Sequence, residues 1–105
     1  MNIVVLGAGR VGTSIAAELS QHEYNVTVVD QDAALTNKLN DELDIGVVTG
    51  NAAQASVLFQ AGIPSADVCL AMTGSDEINI LAASMAKRWG FAAALPASTL
   101  RYFGT

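Results

Sequence analysis

The sequence predicts an α/β fold in which a parallel sheet is covered by helices on both faces. Short β-branched runs alternate with segments of helical periodicity, and a glycine-rich turn joins the first strand to the first helix. The composition is that of a packed domain, with 51% hydrophobic and 14% charged residues. We expect one domain and no second, catalytic one, because a single domain usually takes about 100–150 residues and this chain has 105.

The first half of the chain predicts two strand–helix units. Asn2–Leu6 is continuously apolar after its first residue, as expected for a strand that is buried on both faces. Val11, Ile15 and Leu19 recur at a spacing of four, which predicts a helix over Arg10–Gln21. The same two patterns return in a second strand and a second helix, at Asn25–Val29 and Asp32–Leu43.

The second half repeats the alternation. Strands are predicted at Ile45–Val48 and Asp67–Met72, with a short helix over Gln54–Ala61 between them. A long helix up to Gly90 is indicated by apolar residues at helical spacing, namely Ile78, Leu81, Ala82, Met85 and Trp89. Right-handed crossovers then favour a doubly wound, Rossmann-type sheet of order 3-2-1-4. Phe91–Leu95 is the candidate for a fifth strand, so we assign residues 1–90 to the domain and 91–105 to that strand and an atypical tail.

Charge and cysteine content exclude several classes of function. The chain has five Lys and Arg residues and ten Asp and Glu residues, and this acidic balance argues against a nucleic-acid partner and against adsorption to an anionic membrane. No apolar run reaches the roughly 20 residues of a membrane helix, so we expect no membrane insertion. The single cysteine, Cys69, excludes an intrachain disulfide and a cysteine-cluster metal site, which suits a cytoplasmic protein. No signal peptide is predicted.

The turn after the first strand carries the sequence GAGRVG, a G-x-G-x-x-G motif. Gly7 would permit a tight turn, Gly9 would let the backbone approach a pyrophosphate, and Gly12 would let the helix press against the sheet. Arg10 adds a guanidinium beside this anion site, and Val11 completes the loop. The alternative is a structural strand–helix turn that binds no ligand.

Asp30 ends the second predicted strand, eighteen residues after Gly12. A carboxylate there accepts hydrogen bonds from the ribose hydroxyls of an adenosine. The next two residues are Gln31 and Asp32, and neither is an arginine that could bind a 2′-phosphate, so NADP is disfavoured. Asp30 does not distinguish NAD from ATP, ADP or AMP, because all four contain the same adenosine. Its alternative role is helix capping, and capping is the interpretation we prefer for Asp32.

Two further loops leave strand ends at the same edge of the sheet. Gly50, Asn51 and Ala52 follow the third strand and could line an adenine pocket or form a plain turn. Thr73 follows the fourth strand and could hydrogen-bond phosphate or ribose. His22 and Cys69 show no catalytic or metal-binding pattern, and no nucleophile–base arrangement is evident, so we predict a chain that is not an enzyme.

These motifs resemble the N-terminal RCK (also called KTN) domain of Trk-type potassium uptake regulators. The likeness covers about residues 1–90 and includes NIVVLGAGRVG, VTVVDQD and VVTGNAAQASVLFQAGIPSADVCLAMTGSDEINILAA. The order TG-A---VL--AG---AD-----T--DE-N is more specific than the glycine loop. This chain departs from the family at Asn51, where many relatives carry an acid, and in its last residues.

The resemblance implies a regulatory role. Family members bind NAD(H) or ATP/ADP, assemble into dimers or rings, and act on the cytoplasmic side of a membrane potassium channel or transporter. By this likeness the phosphates would occupy the Gly7–Gly12 loop, the ribose would meet Asp30, adenine would lie near Asn51 and Ala52, and Thr73 would close the site. NAD(H) is the expected cofactor, with ATP, ADP or AMP as alternatives. The alternative function is the cofactor-binding portion of an NAD-dependent oxidoreductase.

Overall fold

The computed structural model describes residues 1–72 and 92–94, and these residues form a five-stranded parallel sheet of order β3-β2-β1-β4-β5. The strands are β1 (Asn2–Leu6), β2 (Asn25–Asp30), β3 (Gly46–Thr49), β4 (Val68–Ala71) and β5 (Ala92–Ala94). The predicted parallel order and the fifth strand beyond the fourth are confirmed. The predicted long helix up to Gly90 and the tail 97–105 lie outside the described residues.

Helices cover both faces of this sheet, as predicted. The helices are α1 (Arg10–Gln21), α2 (Ala33–Glu42) and α3 (Ala55–Gln60), and a 3₁₀ turn follows at Ile63–Ser65. Ala16 of α1 and Leu39 of α2 pack with Val5 and Val28 on one face. On the other face, Leu58 of α3 and Ile63 of the 3₁₀ turn pack with Val4 and Val29.

Most element boundaries differ from the expected ones by a single residue. The ladder between β2 and β3 runs from Thr27 opposite Gly46 to Asp30 opposite Thr49, so β2 reaches Asp30 and β3 lies one residue later than expected. Strand ends follow the pairing partner, whereas the expectation followed the apolar run alone. The 3₁₀ turn Ile63–Ser65 was not expected. It begins after Gly62, whose φ of 86° favours glycine.

Parallel pairing brings the carboxyl ends of β1, β2, β3 and β4 to one edge of the sheet. Backbone hydrogen bonds tie these ends together: the Gly7 N–H donates to the Val29 carbonyl at 2.7 Å, and the Met72 N–H donates to the Leu6 carbonyl at 2.7 Å. In open α/β sheets ligands bind at this edge, near the point where the strand order reverses. Here that point lies between β1 and β4.

Candidate functional site

The loop after β1 opens with a left-handed glycine. Gly7 has φ 111°, a conformation that residues with a Cβ rarely adopt. Farther along the loop, the Thr13 hydroxyl donates to the Ala8 carbonyl at 2.9 Å. The loop therefore makes the tight turn that the glycine motif predicts, and its shape is fixed by hydrogen bonds to β2 and to α1.

Gly12 lies where α1 passes closest to that loop. A Cβ added to Gly12 would lie 3.0 Å from the carbonyl carbon of Gly7 and closer still to its oxygen, with Met72 Cβ at 3.7 Å. Any side chain would force the helix away from the strand, since such contacts do not occur between real atoms. The close approach of helix to sheet predicted for this glycine is present.

Gly9 has a different environment. It precedes the first helical residue of α1 with φ −70° and ψ −171°, and no described atom lies within 4 Å of a Cβ added there. Within residues 1–72, no side chain accepts a hydrogen bond from the N–H groups of Arg10, Val11 or Gly12. The open side of the loop therefore combines unpaired helix N–H groups with space for a ligand.

The side chains beside this opening are exposed. Arg10 is exposed, and Val11 is 61% exposed although it belongs to the apolar repeat of α1. An N-terminal helix turn with free amides and an adjacent guanidinium suits an anion such as a phosphate. Contacts with a ligand remain a prediction for each residue of the loop that the motif indicates, namely Gly7, Gly9, Arg10, Val11 and Gly12.

Asp30 connects the glycine loop to the start of α2. Its Oδ2 accepts from the Ala8 N–H at 2.8 Å, and its Oδ1 accepts from the Asp32 N–H at 2.8 Å. The residue is half-buried, and each carboxylate oxygen has a second lone pair for a further donor. Asp30 thus has a structural role that sequence reasoning missed, and it keeps acceptor capacity for the hydroxyls of a ribose.

The two residues after Asp30 differ in role. Gln31, which is also a predicted nucleotide contact, is exposed at the edge of the site, and its contact with a ligand remains a prediction. The Asp32 Oδ1 accepts from the Ala34 N–H at 2.9 Å, so Asp32 is the N-cap of α2. The capping interpretation of Asp32 is confirmed.

The loop after β3 satisfies its own hydrogen bonds. The Asn51 Oδ1 accepts from the Ala53 N–H at 2.8 Å, which makes an Asx turn, and the Asn51 carbonyl accepts from the Gln54 N–H at 3.0 Å. Ala52 is only 6% exposed and packs in the core with Leu58. Ligand contacts by Gly50, Asn51 and Ala52 remain a prediction, in which Ala52 would contribute its backbone.

Sequence reasoning missed one polar contact near the site. The Thr36 side chain is fully buried, and its Oγ1 lies 2.7 Å from the Oγ1 of Thr49 at the end of β3. Thr36 lies beside Leu35, Leu39 and Leu43, which recur at a spacing of four, and this pattern is the signal that Thr36 faces the sheet. Nothing in the sequence indicates that its partner would be Thr49, because that pairing depends on the tertiary structure.

The remaining reactive side chains form no second site in the described part of the chain. Burial raises the pKa of the Cys69 thiol to about 12, so this thiol is unreactive in the folded protein. Residues 1–72 and 92–94 contain no cluster of three or more His, Cys, Asp or Glu side chains that could hold a metal ion. Over the same residues, no helix is long and apolar enough to cross a membrane. Thr73 lies outside the described residues.

The sheet order, the glycine loop and the acid at the end of β2 define a Rossmann-type domain whose candidate site is suited to an adenosine phosphate. Residues 3–92 match the model of the TrkA-N domain family, and the chain belongs to that family. The resemblance to the N-terminal domain of Trk-type potassium uptake regulators is therefore confirmed.

A comparison of sequences agrees with this assignment. The chain is 43% identical over 86 residues to the Trk system potassium uptake protein TrkA of Halomonas elongata, which covers 82% of this chain and 19% of that protein. The chain thus spans about a fifth of the length of this relative.

Among solved structures, the Kef CTD of Shewanella denitrificans in its AMP-bound form has a TM-score of 0.78 at 18% identity, covering 90% of this chain and 58% of that one. The GsuK channel bound to NAD gives 0.76 at 20% identity, covering 99% of this chain and 20% of that one. Saccharopine dehydrogenase from Saccharomyces cerevisiae gives 0.78 at 19% identity, over 97% and 23% of the two chains. These three likenesses establish the fold alone.

Proposed function

We propose that this chain is a nucleotide-sensing regulatory domain of a potassium transport system, with NAD(H) as the first candidate ligand and ATP, ADP or AMP as alternatives. Membership of the TrkA-N family supports the regulatory role. The observation that carries the ligand class is the pairing of an open, amide-lined turn at Gly9 with the Asp30 carboxylate across the loop. NAD and AMP, which are bound in two structures of this fold, share an adenosine 5′-phosphate.

In this proposal each part of the ligand has its own partner. The phosphates accept hydrogen bonds from the N–H groups at the start of α1, and Arg10 supplies a neighbouring positive charge. The ribose hydroxyls donate to the remaining lone pairs of Asp30. Adenine lies near Asn51 and the Ala52 backbone, and Thr73 closes the site.

We further propose that the domain acts by binding rather than by catalysis. The one thiol in the described residues is buried and protonated, which leaves it unsuited to nucleophilic chemistry. Regulation requires that two nucleotides differ in affinity for two conformations of the assembly. The partners in this proposal are further copies of the chain, as a dimer or ring, and a membrane potassium channel or transporter subunit. The domain would then lie at the cytoplasmic face of the membrane through that subunit.

The second candidate function is the cofactor-binding portion of an NAD-dependent oxidoreductase. It is favoured by the likeness of fold to saccharopine dehydrogenase. The two functions differ in outcome, since an oxidoreductase oxidises or reduces a nicotinamide whereas a sensor returns it unchanged. Absorbance of NADH during incubation with a broad substrate panel separates them.

The test of the ligand class is a thermal melting series with NAD, NADH, ADP, ATP and AMP. A ligand at 100 times its Kd stabilises the fold by about 2.7 kcal/mol, which raises the melting temperature by about 10 °C in a domain of this size. The Gly9→Ala variant tests the site itself. Its Cβ meets no described atom, so the fold should be retained, but it occupies the open side of the loop and should weaken nucleotide binding. A melting shift that is equal in wild type and Gly9→Ala contradicts the proposed site, and no shift with any of the five nucleotides contradicts the proposed function.

A further inference from the structure

Thr36 and Thr49 form a hydroxyl pair beside the candidate site. Thr36 is the one buried polar residue in the described part of the chain, and its Oγ1 lies 2.7 Å from Thr49 Oγ1 and 3.2 Å from the Ala33 carbonyl. The pair joins the first half of α2 to the last residue of β3. A buried hydroxyl needs a hydrogen-bond partner, and the Ala33 carbonyl on the same helix already supplies one for Thr36. The additional contact with Thr49 therefore suggests a further role for the pair.

Thr49 is the strand neighbour of Asp30. The two residues are partners in the parallel ladder between β2 and β3, and each ends its strand. Two residues earlier, the ladder partners Val28 and Val47 both pack on the face that α1 and α2 cover. Because side chains alternate along a strand, Asp30 and Thr49 leave the sheet on that same face.

Hydrogen bonds connect the hydroxyl pair to Asp30 in a closed circuit. The Asp32 N–H donates to Asp30 Oδ1 at 2.8 Å, and Asp32 in turn caps α2. Thr36 lies in the same helix, and its hydroxyl contacts that of Thr49. The N–H of the residue after Thr49, Gly50, donates to the Asp30 carbonyl at 3.0 Å, which closes the circuit. This hydrogen-bonded frame encloses the backbone that carries the Asp30 carboxylate.

We propose that Thr36 and Thr49 are positioning residues that fix the Asp30 carboxylate for recognition of a ribose diol. The inference rests on the proposed function, since it concerns the same nucleotide site. Without the hydroxyl pair, the start of α2 and the end of β3 are joined to Asp30 separately. The Asp32 N–H then moves more freely with the start of α2, so Oδ1 of Asp30 is held less firmly while the Ala8 N–H still holds Oδ2. The preference of the carboxylate for two adjacent hydroxyls over one therefore falls.

Valine substitutions remove either hydroxyl with little change of shape and without leaving a buried donor unpaired. In Thr49→Val, the Thr36 hydroxyl still donates to the Ala33 carbonyl. In Thr36→Val, the Thr49 hydroxyl turns to water, because Thr49 is exposed. Thr27→Val is the matched control, because Thr27 lies on the same strand as Asp30 but outside the hydrogen-bonded frame.

The experiment measures the Kd of ADP and of 2′-deoxy-ADP by calorimetry for the 105-residue chain and these variants. A hydrogen bond to a charged group corresponds to a preference of about tenfold or more for ADP in wild type. We expect Thr36→Val and Thr49→Val to reduce that preference to about threefold or less, and Thr27→Val and Thr49→Ser to retain it.

Three results would overturn the inference while leaving nucleotide binding intact. Wild type could bind both ligands equally, the valine variants could retain the full preference, or they could lose affinity for both ligands by the same factor, which a purely structural role predicts. If Thr36→Val does not fold, Thr49→Val alone decides, with Thr49→Ser as its control. Wild type that binds neither ligand, and that shows no melting shift with NAD, NADH, ATP or AMP, contradicts the proposed function itself.

Discussion

Two loops at the same edge of the sheet, after β1 and after β3, use their glycines in opposite ways. In the loop after β1, Gly9 faces open space among the described residues, and the following amides have no side-chain acceptor there. In the loop after β3, a Cβ added to Gly50 would lie 2.8 Å from Val57 Cγ2, and Asn51 accepts a hydrogen bond from within its own turn. The first loop keeps donors and space for a ligand, whereas the second is closed on itself.

The comparison teaches that a glycine at a strand–helix turn does not by itself indicate a ligand. Gly12 and Gly50 are required by packing against protein atoms, and Gly9 is not. The distinction between a packed and an unpacked glycine separates structural positions from candidate binding positions. The variants at Gly12, Gly9 and Gly50 test this distinction directly, and the predictions follow in order of expected effect.

Gly12→Ala should be the most damaging substitution. Its Cβ would collide with the backbone of Gly7, which cannot move without disturbing β1, so we expect a loss of about 3 kcal/mol or more in the free energy of unfolding. Urea denaturation measures it. Gly9→Ala should lie within about 0.5 kcal/mol of wild type while weakening nucleotide binding. Equal stability losses in the two variants would remove the distinction between them.

Asp30→Asn should affect both folding and binding. An asparagine offers one acceptor oxygen, so its amide group would face the N–H of either Ala8 or Asp32. We expect a loss of about 1–3 kcal/mol in the free energy of unfolding, together with loss of nucleotide affinity. Chemical denaturation without ligand separates the two effects. If the free variant is as stable as wild type, Asp30 has no structural role in the loop.

Gly50→Ala should cost about 1–3 kcal/mol through its contact with Val57. Val57→Ala should relieve the contact, so the double variant should be more stable than the sum of the two single losses predicts. A double-mutant cycle by urea denaturation measures this coupling. Additive losses would indicate that the cost of Gly50→Ala does not come from its contact with Val57.

Asn51→Ala should cost about 1 kcal/mol, because the Ala53 N–H loses its side-chain acceptor. Asn51→Asp keeps the acceptor oxygen and should retain stability. Thermal melting of the two variants and wild type checks this. Our account is contradicted if the alanine variant is as stable as the aspartate variant.

The smallest effect concerns Cys69. Its folded pKa of about 12 lies above the ordinary value of 9.0, so the folded state opposes ionisation. Stability should therefore be complete below about pH 9 and should fall above it, by less than about 1 kcal/mol at pH 9.5. Iodoacetamide should label the thiol at pH 8 only after unfolding in urea. Rapid labelling of the folded chain would contradict the burial of this residue.

The sheet order and the placement of the glycine loop could be predicted from sequence, because strand periodicity, helical spacing and the right-handed crossover rule leave few arrangements. The ends of β2 and β3 could not be predicted to the residue, since the ladder between Asp30 and Thr49 determines them. The 3₁₀ turn at Ile63–Ser65 could not be predicted, because a glycine and a proline after a helical segment, here Gly62 and Pro64, usually indicate only that the helix ends.

The candidate site was predictable in its residue types but not in its contacts. The motif identified Gly9 and Asp30, and their placement beside one loop follows from parallel pairing. The double hydrogen bonding of Asp30 and the contact between Thr36 and Thr49 were not predictable, because each joins residues that only the tertiary structure brings together. Burial of the Ala52 side chain likewise follows from the packing of α3.

The most direct test of the central claim is a titration of the ¹⁵N-labelled chain with NAD, followed by the chemical shifts of its backbone amides. We expect the largest changes at Gly9, Arg10 and Val11, with smaller changes at Ala8 and Asp32, whose N–H groups share the Asp30 carboxylate. Saturable changes confined to residues distant from the β1 loop, or no changes with NAD, ADP or AMP, would contradict it.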